Sequence, residues 1–335
     1  MPAATLKDIA KLVGVSVNTV SRALKDKPDI GLPTRERIKE AAAALGYRPN
    51  LNARSLVLRK TSIIGVAVTE PDNPVRMEFC EKLRLCAERD GYRLLTVSLS
   101  YDWNTKNLDA LEDLLARRVD GMVVGAIWGL TGEQPLGMLL QECRQNELPV
   151  VVFGQPQTEL ADCVEINFPD SAFRLTSHLL EKGYRKIVFF DALSGTLKIP
   201  GYLRAMREHR REKEISVWEP SAGRMDTAFA SMEKYLQKFK RPPEAVIAPN
   251  DLGALGIMAA LKKHRVRVPE DCAVAGFDNI SFGEFSDPPL TTIGYDNGIF
   301  AETVWSLMIR RLNKTETGPA KRICIPQKLI VRQSA

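Results

Sequence analysis

The stretch TLKDIAKLVGVSVNTVSRAL, residues 5 to 24, decides how this chain of 335 residues is interpreted. It contains two short runs with apolar residues at helical spacing, separated by Gly14. Thr5 can cap the first helix, with Asp8 at the reciprocal third position, and Ser16 can cap the second. Two short amphipathic helices joined by a tight turn are typical of proteins that place one helix in DNA.

The second helix of this pair is expected to present one face to DNA. If Val20, Ala23 and Leu24 face the core, the opposite face points outward. An Asn side chain can pair with adenine and an Arg with guanine, a Val methyl can touch a thymine methyl, and hydroxyl groups suit phosphates. The predicted DNA-binding residues of this region are Thr5, Leu6, Ser16, Val17, Asn18, Thr19, Ser21 and Arg22. The alternative is a plain helical hairpin with a solvated polar face.

The positive charge is concentrated in the same region. Residues 1 to 60 contain 12 Lys and Arg against 5 Asp and Glu, whereas the remainder contains 35 basic and 36 acidic residues. A basic head on a neutral body is the expected pattern for phosphate binding, and it predicts DNA affinity that falls steeply with salt. A third helix from about Pro33 to Leu45 would complete a small head.

A short segment with its own helical pattern follows the head. Residues 50 to 59, NLNARSLVLR, can form a helix capped by Asn50. Isolated helices below roughly 12 residues are marginal in water, so this one is expected to order only when paired with its dimer mate on DNA. Leu56 could then insert between base pairs in the minor groove. Ala53 would allow the helix to approach the DNA closely, and Arg54 would contact the DNA backbone. A flexible linker whose leucine packs on the body is the alternative.

The rest of the chain alternates short apolar runs, rich in β-forming residues, with helical segments. This alternation predicts an α/β body with parallel sheets. Two sets of runs indicate two lobes, with a ligand cleft at the carboxyl ends of the strands. The first set covers residues 63–68, 94–97, 121–125 and 150–153, and the second covers residues 164–166, 187–190, 245–248 and 273–277.

A series of short motifs spans nearly the whole chain. They are KDIAKLVGVSVNTVSR, TRERI, LGYRPN, ARSL, IIGV, VDGMVV, LPVVVF, HLLEKGYRKI, PNDLGALG, VPEDCAVAGFD and PPLTTI. In this order and spacing they resemble the lactose-repressor and galactose-repressor family of bacterial transcription regulators. The resemblance implies that Leu56 is the minor-groove wedge, that the operator is a near-palindrome with a central CG step, and that the body has the type I periplasmic-binding-protein fold.

The resemblance also implies the domain boundaries. An all-α helix-turn-helix head is expected over 1–49, a hinge helix and linker over 50–60, and a two-lobed effector-binding and dimerisation body over 61–335. The chain of this fold crosses between lobes three times, which here would fall near 161, 292 and 322. The N-lobe would then cover about 61–161 and 292–321, and the C-lobe about 162–291 and 322–335.

Effector-binding residues are implied only where motifs of the family match. Asn250 in PNDLGALG and Asp278 in AGFD match polar residues that hold sugar or purine effectors. Lys198 stands where the family usually has Arg, so a cationic donor remains without the planar fork. The aromatic pair that the family usually has after Asn-Pro is Val75 and Arg76 here. The family pattern alone therefore does not identify the effector.

Further candidates for the cleft come from the ends of predicted strands. Trp128 could stack on a sugar face, with Thr69, Asp102 and Gln155 as additional polar groups. A loop tryptophan that covers a core edge or meets a dimer partner is an equally good interpretation of Trp128.

Other classes of site lack a signal in the sequence. The six cysteines form no C-x-x-C pair and the three histidines have no partners at ligand spacing, so neither a metal nor another cofactor is expected. The chain has no P-loop, G-x-S-x-G or dinucleotide fingerprint, which argues against an enzyme. No secretory segment or long apolar span is present, so a cytoplasmic protein without membrane contact is expected.

Together these patterns predict an effector-responsive transcription regulator. We expect a repressor of carbohydrate-utilisation genes that binds a palindromic operator in double-stranded DNA as a homodimer and responds to a sugar or sugar derivative. A short recognition helix makes few base contacts, and a two-fold pair doubles them. The alternative is a solute-binding module without DNA function, which would have no use for residues 1 to 60.

Overall fold

The computed structural model describes residues 4–48, 55, 60–69, 72–99, 108–125, 135–154, 158–191, 197–218 and 223–335. The chain divides into two compact units, Met1–Thr61 and Ser62–Ala335. We describe the two units separately and refer to them as the head unit and the body.

Over residues 4–48 the head unit forms the helices α1 (Leu6–Val13), α2 (Val17–Ala23) and α3 (Leu32–Ala44). The predicted capping box at the start of α1 is confirmed, because the Thr5 N–H donates to Asp8 Oδ2 at 2.8 Å while Thr5 Oγ1 accepts from the Asp8 N–H. Gly14 ends α1 in the left-handed region, at φ 75°. A side chain there would be strained, so this turn depends on glycine.

A small apolar cluster holds the three helices together. It is formed by the buried side chains Ile9, Ala10, Val20, Ala23, Ile38, Ala41 and Ala42. Most of them are small, so the head buries little apolar area. A core of this size supplies only modest stability.

The body consists of strands and helices in regular alternation. In chain order they are β1 (Ile63–Val68), α4 (Pro74–Arg89), β2 (Arg93–Ser98), α5 (Asp109–Ala116), β3 (Gly121–Gly125), α6 (Pro135–Gln145), β4 (Val150–Gly154), β5 (Asp162–Ile166), α7 (Phe168–Glu181), β6 (Ile187–Phe190), α8 (Ile199–Glu208), β7 (Ser216–Trp218), α9 (Met225–Phe239), β8 (Ala245–Ile247), α10 (Asp251–Lys263), β9 (Ala273–Phe277), α11 (Ser281–Glu284), β10 (Thr291–Gly294), α12 (Asn297–Leu312), β11 (Arg322–Ile325) and β12 (Lys328–Ile330). A 3₁₀ turn covers Glu212–Glu214. None of the described helices is long and apolar enough to span a membrane.

These strands form two sheets, and the prediction of a two-lobed α/β body with parallel sheets is confirmed. The first sheet has the order β11-β5-β4-β3-β1-β2 and its pairs are parallel. The second has the order β12-β10-β9-β8-β6-β7, and its pairs are parallel except for the antiparallel pair β10 and β12. We call the lobes around these sheets the first and second lobe. Their apolar strands are covered by helices, as parallel sheets require.

The chain crosses between the lobes later than the predicted positions near 161, 292 and 322. Strand β5 pairs with β4, and β11 pairs with β5, so both belong to the first sheet. The crossings therefore lie between β5 and α7, between β10 and α12, and between β11 and β12. Apolar periodicity identifies a strand but does not show which sheet the strand joins. The prediction therefore assigned residues 164–166 to the wrong set.

A buried ion pair explains why β5 stays with the first lobe. Arg311 of α12 donates from Nε and Nη2 to the two carboxylate oxygens of Asp162, at 2.8 Å each. Asp162 is buried and also accepts from the Lys321 N–H at 2.8 Å. The first residue of β5 is thus held by α12 and by the segment leading into β11. A bidentate pair of this kind fixes geometry as well as charge.

Close helix packing shapes the second lobe. At Gly201 of α8, an added Cβ would lie 1.9 Å from the carbonyl oxygen of Pro169 in α7. At Gly256 of α10, it would lie 2.1 Å from the carbonyl oxygen of Met225 in α9. These distances are far below van der Waals contact and involve backbone, which cannot swing aside. Both helix pairs therefore need glycine at their crossing points.

We predict that Gly201→Ala lowers the free energy of unfolding of the body by about 1–3 kcal/mol or more, because the methyl group forces α7 and α8 apart. Urea unfolding followed by circular dichroism measures this change. Gly318→Ala is the matched control, because a Cβ at Gly318 would meet its nearest atom, Glu316 Oε1, at an ordinary 3.6 Å. Equal stability of the two variants would contradict the packing argument.

Candidate functional site

The outward face of α2 is the first candidate site. Val20 and Ala23 are fully buried, while Val17, Asn18 and Arg22 are exposed on the other side of the helix. Anchoring one face of a short helix in this way fixes the orientation of the opposite face. The structure thus brings together the three side chains that the sequence predicted for base contacts.

The hydroxyl side chains of this region take part in helix capping. Ser16 Oγ accepts from the Thr19 N–H at 3.0 Å and lies 2.8 Å from Thr19 Oγ1. Thr5 caps α1 and is exposed, while Leu6 and Ser21 are half-buried. Thr5, Leu6, Ser16 and Thr19 lie at the amino ends of α1 and α2, where unpaired backbone N–H groups and the helix dipole favour phosphate. Ser21 lies in the last turn of α2.

Arg22 has an acidic partner that the sequence analysis did not find. Its Nε donates to Oδ2 of Asp29 at 2.7 Å, and both side chains remain about half exposed. The hydrogen bond from Arg22 lowers the pKa of Asp29 below its usual value. The two residues lie in different elements, α2 and the loop before α3, so helical spacing gives no signal for the pair.

Part of the predicted DNA-contacting set lies outside the described residues. This holds for Asn50, Ala53, Arg54 and Leu56 of the hinge segment. Their roles stay predictions.

The second candidate site lies between the lobes of the body, around Asp278 at the carboxyl end of β9. Asn73, which caps α4 in the first lobe, donates from Nδ2 to Asp278 Oδ2 at 3.3 Å. Burial raises the pKa of Asp278, and the nearby cations Lys198 and Arg76 oppose that rise. The Asp278 backbone has φ 109°, a conformation that a non-glycine residue rarely adopts.

Lys198 lies beside aromatic rings in this region. Its Nζ is 4.5 Å from the centroid of the Phe277 ring and 5.2 Å from that of Phe168. It also donates to the carbonyl oxygen of Pro249. An ammonium group over two ring faces is favourably placed. The structure therefore brings the predicted residues Lys198 and Asp278 into one site.

Arg76 is a member of this site that the sequence analysis noted only as a departure from the family pattern. Its guanidinium carbon is 5.8 Å from the centroid of the Phe153 ring, and it hydrogen-bonds the Tyr295 side chain. Burial raises the pKa of Tyr295 to about 12, an effect that Arg76 partly opposes. Its position three residues after the Asn73 cap, in the first turn of α4, was the available signal, because α4 follows β1 and begins at the edge of the sheet where a cleft is expected.

The remaining predicted effector residues differ in placement. Asn250 caps α10, with Oδ1 accepting from the Gly253 N–H at 2.7 Å and Nδ2 donating to the Gly223 carbonyl at 2.8 Å. Its amide is thus used within the second lobe. Thr69 is half-buried directly after β1. Trp128, Asp102 and Gln155 lie outside the described residues.

A second buried carboxylate lies next to Asp278. Asp251, the first residue of α10, accepts from Thr292 Oγ1 at 2.6 Å and from the Ile280 N–H at 2.9 Å. Burial and the negative charge of Asp278 raise its pKa well above the usual value. Asp251 thereby ties α10 to the segments on either side of α11.

A cavity of about 380 Å³ in the first lobe lies away from this site, at the amino ends of β4 and β5. Its charged lining residues include the pairs Arg311 with Asp162 and Lys314 with Glu147, whose charges compensate each other. Among the described residues, no group of three His, Cys, Asp or Glu side chains is placed to hold a metal ion.

Comparison with protein families agrees with this two-part organisation. Residues 5–50 match the model of bacterial regulatory proteins of the lacI family, and residues 176–335 match a periplasmic binding protein-like domain. The chain is 31% identical over 317 residues to an HTH-type transcriptional repressor PurR of Vibrio atlanticus (strain LGP32), with 92% of each chain covered. It is 30% identical over 337 residues to a repressor of the same name from Haemophilus influenzae (strain ATCC 51907 / DSM 11121 / KW20 / Rd), covering 99% of this chain and 98% of the relative.

Solved structures show the same fold. A lac repressor dimer bound to operator and the anti-inducer ONPF has a TM-score of 0.81 at 23% identity, covering 99% of this chain and 98% of that one. A complex of the transcriptional regulator CelR with cellobiose has a TM-score of 0.69 at 25% identity, covering 99% and 100%. These matches extend over head and body alike. The chain therefore belongs to the LacI family of DNA-binding transcriptional repressors, which are regulators and not enzymes.

Proposed function

We propose that this repressor binds a palindromic operator as a homodimer and controls carbohydrate-utilisation genes in response to a small-molecule effector. The observation that carries the proposal is the exposed face of α2, where Val17, Asn18 and Arg22 lie opposite a buried anchor. We also propose that it acts in the cytoplasm, where a bacterial repressor meets DNA.

For DNA recognition, we propose that Arg22 pairs with guanine, Asn18 with adenine and Val17 with a thymine methyl. The sugar-phosphate backbone of the DNA would be contacted by Thr5, Leu6, Ser16, Thr19 and Ser21. The hinge residues Asn50, Ala53, Arg54 and Leu56 would enter the minor groove at the centre of the site. The concentration of positive charge in residues 1 to 60 supports this assignment.

A binding-site selection with the full-length protein tests this recognition scheme. We expect a near-palindrome with a central CG step, and we expect Arg22→Ala to relax the base preference at one position of each half-site, at a cost of about 1–3 kcal/mol for the preferred base. Lys213→Ala removes the same charge from the body and should leave the preference unchanged. Failure of the wild-type protein to enrich any sequence, with every candidate ligand, would favour the alternative of a solute-binding module.

Two-fold assembly is proposed because one short recognition helix offers few base contacts. The body carries exposed apolar side chains that a second copy could cover, among them Met77 and Leu85 on α4 and Phe282 and Phe285 around α11. Apolar side chains that are exposed on one copy can be buried between two copies, which favours association.

We predict that sedimentation velocity gives a species of about twice the 37.3 kDa chain mass. Replacing both Phe282 and Phe285 with Ser should shift the protein toward monomer and weaken operator binding, because the apolar contact between copies is lost. A wild-type monomer at micromolar concentration would contradict the dimer proposal, and an unshifted variant would remove these two residues from the interface.

The effector is proposed to bind between the lobes at Asp278 and Lys198, with Arg76 added from the first lobe. The Asp278 carboxylate, with Lys198 beside the half-buried ring of Phe168 and Arg76 beside Phe153, offers hydrogen bonds and apolar surface, which suits a polyhydroxylated ring. The related regulator solved with cellobiose supports the carbohydrate class. Asn250, Thr69, Trp128, Asp102 and Gln155 stay candidates for the same site.

The proposed mechanism is that the effector changes the relation of the lobes. Asp278 joins the lobes through Asn73, and an exposed ion pair between Asp72 and Arg224 joins them a second time. A ligand that contacts Asp278 in the second lobe and Arg76 in the first favours the lobe arrangement in which both contacts form. That change would decide whether two hinge segments can pack together on DNA, which is a coupling between two sites.

We predict that Asp278→Ala abolishes the effector response while leaving operator affinity intact. A panel of neutral sugars, sugar acids, sugar phosphates and purine bases is first screened by thermal shift, and the hit is then tested for its effect on operator binding. Asp72→Asn is the control, since an exposed ion pair contributes at most about 1 kcal/mol and should leave the response in place. A normal response in Asp278→Ala would remove this residue from the site.

A further inference from the structure

The loop between α2 and α3 is held in a defined conformation against the recognition helix. Arg35 of α3 donates from Nη2 to the carbonyl oxygens of Lys27 and Ile30, at 3.0 and 2.9 Å. Asp26 forms a 2.7 Å ion pair with Lys39 of the same helix. The two Arg35 bonds, to Lys27 and Ile30, bracket Asp29, so its carboxylate is fixed relative to α2 by more than its own bond to Arg22.

The bond between Arg22 and Asp29 uses one edge of the guanidinium. Nε donates to Asp29 Oδ2 at 2.7 Å, and the carboxylate therefore lies along the side of the group. A guanidinium that pairs bidentately with guanine O6 and N7 can present its terminal Nη1 and Nη2 edge. The Asp29 contact and a guanine contact are thus geometrically compatible.

A side-chain clamp of this kind has a clear physical benefit. An exposed Arg side chain loses much of its rotamer entropy when it engages a base. A charge-assisted hydrogen bond already present in the free protein reduces that loss. The same carboxylate also repels DNA phosphates, so it disfavours complexes in which Arg22 leaves it to contact the backbone.

We propose that Asp29 is a positioning residue that orients Arg22 for guanine and thereby sets the specificity of the repressor at that base pair. The proposal rests on the proposed function of Arg22 in DNA recognition. The Asp29 carboxylate lowers the affinity of the protein for DNA of any sequence and raises its discrimination between sequences. It acts through Arg22 and itself contacts no base.

The test measures dissociation constants of the full-length protein for its selected operator, for the same operator with the Arg22-assigned G·C pair changed to A·T, and for a scrambled duplex. We define the operator ratio as the dissociation constant for the changed operator divided by that for the selected operator. We expect Asp29→Ala to lower this ratio about tenfold, which corresponds to about 1.4 kcal/mol. Binding to the scrambled duplex should become no weaker, because one negative charge is lost. Asp29→Asn keeps an oxygen acceptor for Nε and should recover part of the ratio.

Asp26→Ala is the matched control. Asp26 is an acidic, ion-paired residue of the same loop, so its replacement changes the charge of the head equally without touching Arg22. Its operator ratio should stay at the wild-type value. In an Arg22→Ala background, Asp29→Ala should no longer change the ratio, since the residue it positions is gone. Circular dichroism melting of every variant establishes that the head stays folded.

Each result decides the proposal. An unchanged ratio in Asp29→Ala, an equal fall in Asp26→Ala, or a further fall on the Arg22→Ala background would overturn the positioning role while leaving Arg22 as a DNA contact. A wild-type protein that binds all three duplexes equally would instead overturn the proposed function, and the positioning role with it.

Discussion

The hydrogen bond between Asn73 and Asp278 is the constraint on which the proposed effector site of the body depends. Asn73 begins α4 in the first lobe, and Asp278 ends β9 in the second, so one contact joins a helix start to a strand end across the cleft. The strained backbone of Asp278 is supported by a neighbouring contact, because the Ile280 N–H, two residues later, donates to the buried Asp251 carboxylate. A ligand that reaches this carboxylate would therefore meet groups from both lobes.

The local features of this chain were predictable because short-range rules determine them. The Thr5 capping box, the glycine at the end of α1 and the cap at Ser16 depend on residues within a few positions of each other, and all were found where expected. The two lobes followed from alternating strand and helix patterns. Residues Lys198 and Asp278 were found from motifs, and the structure brings them into one site.

The features that the sequence did not reveal all depend on contacts between distant or irregular segments. The membership of β5 in the first sheet depends on Asp162 meeting Arg311, 149 positions away. The pairing of Asp29 with Arg22 depends on a loop whose path is set by Arg35. The role of Arg76 depends on Tyr295, which lies in a crossing segment. Periodicity carries no information about such long-range partners.

The three crossings between lobes are short, and this has a mechanical consequence. One residue separates β5 from α7, and two residues separate both β10 from α12 and β11 from β12. An extended residue spans at most about 3.6 Å, so these connections act as stiff tethers with almost no slack. The lobes can bend about their junction but cannot drift apart. Ligands of different size would then stabilise different degrees of closure along the same hinge motion.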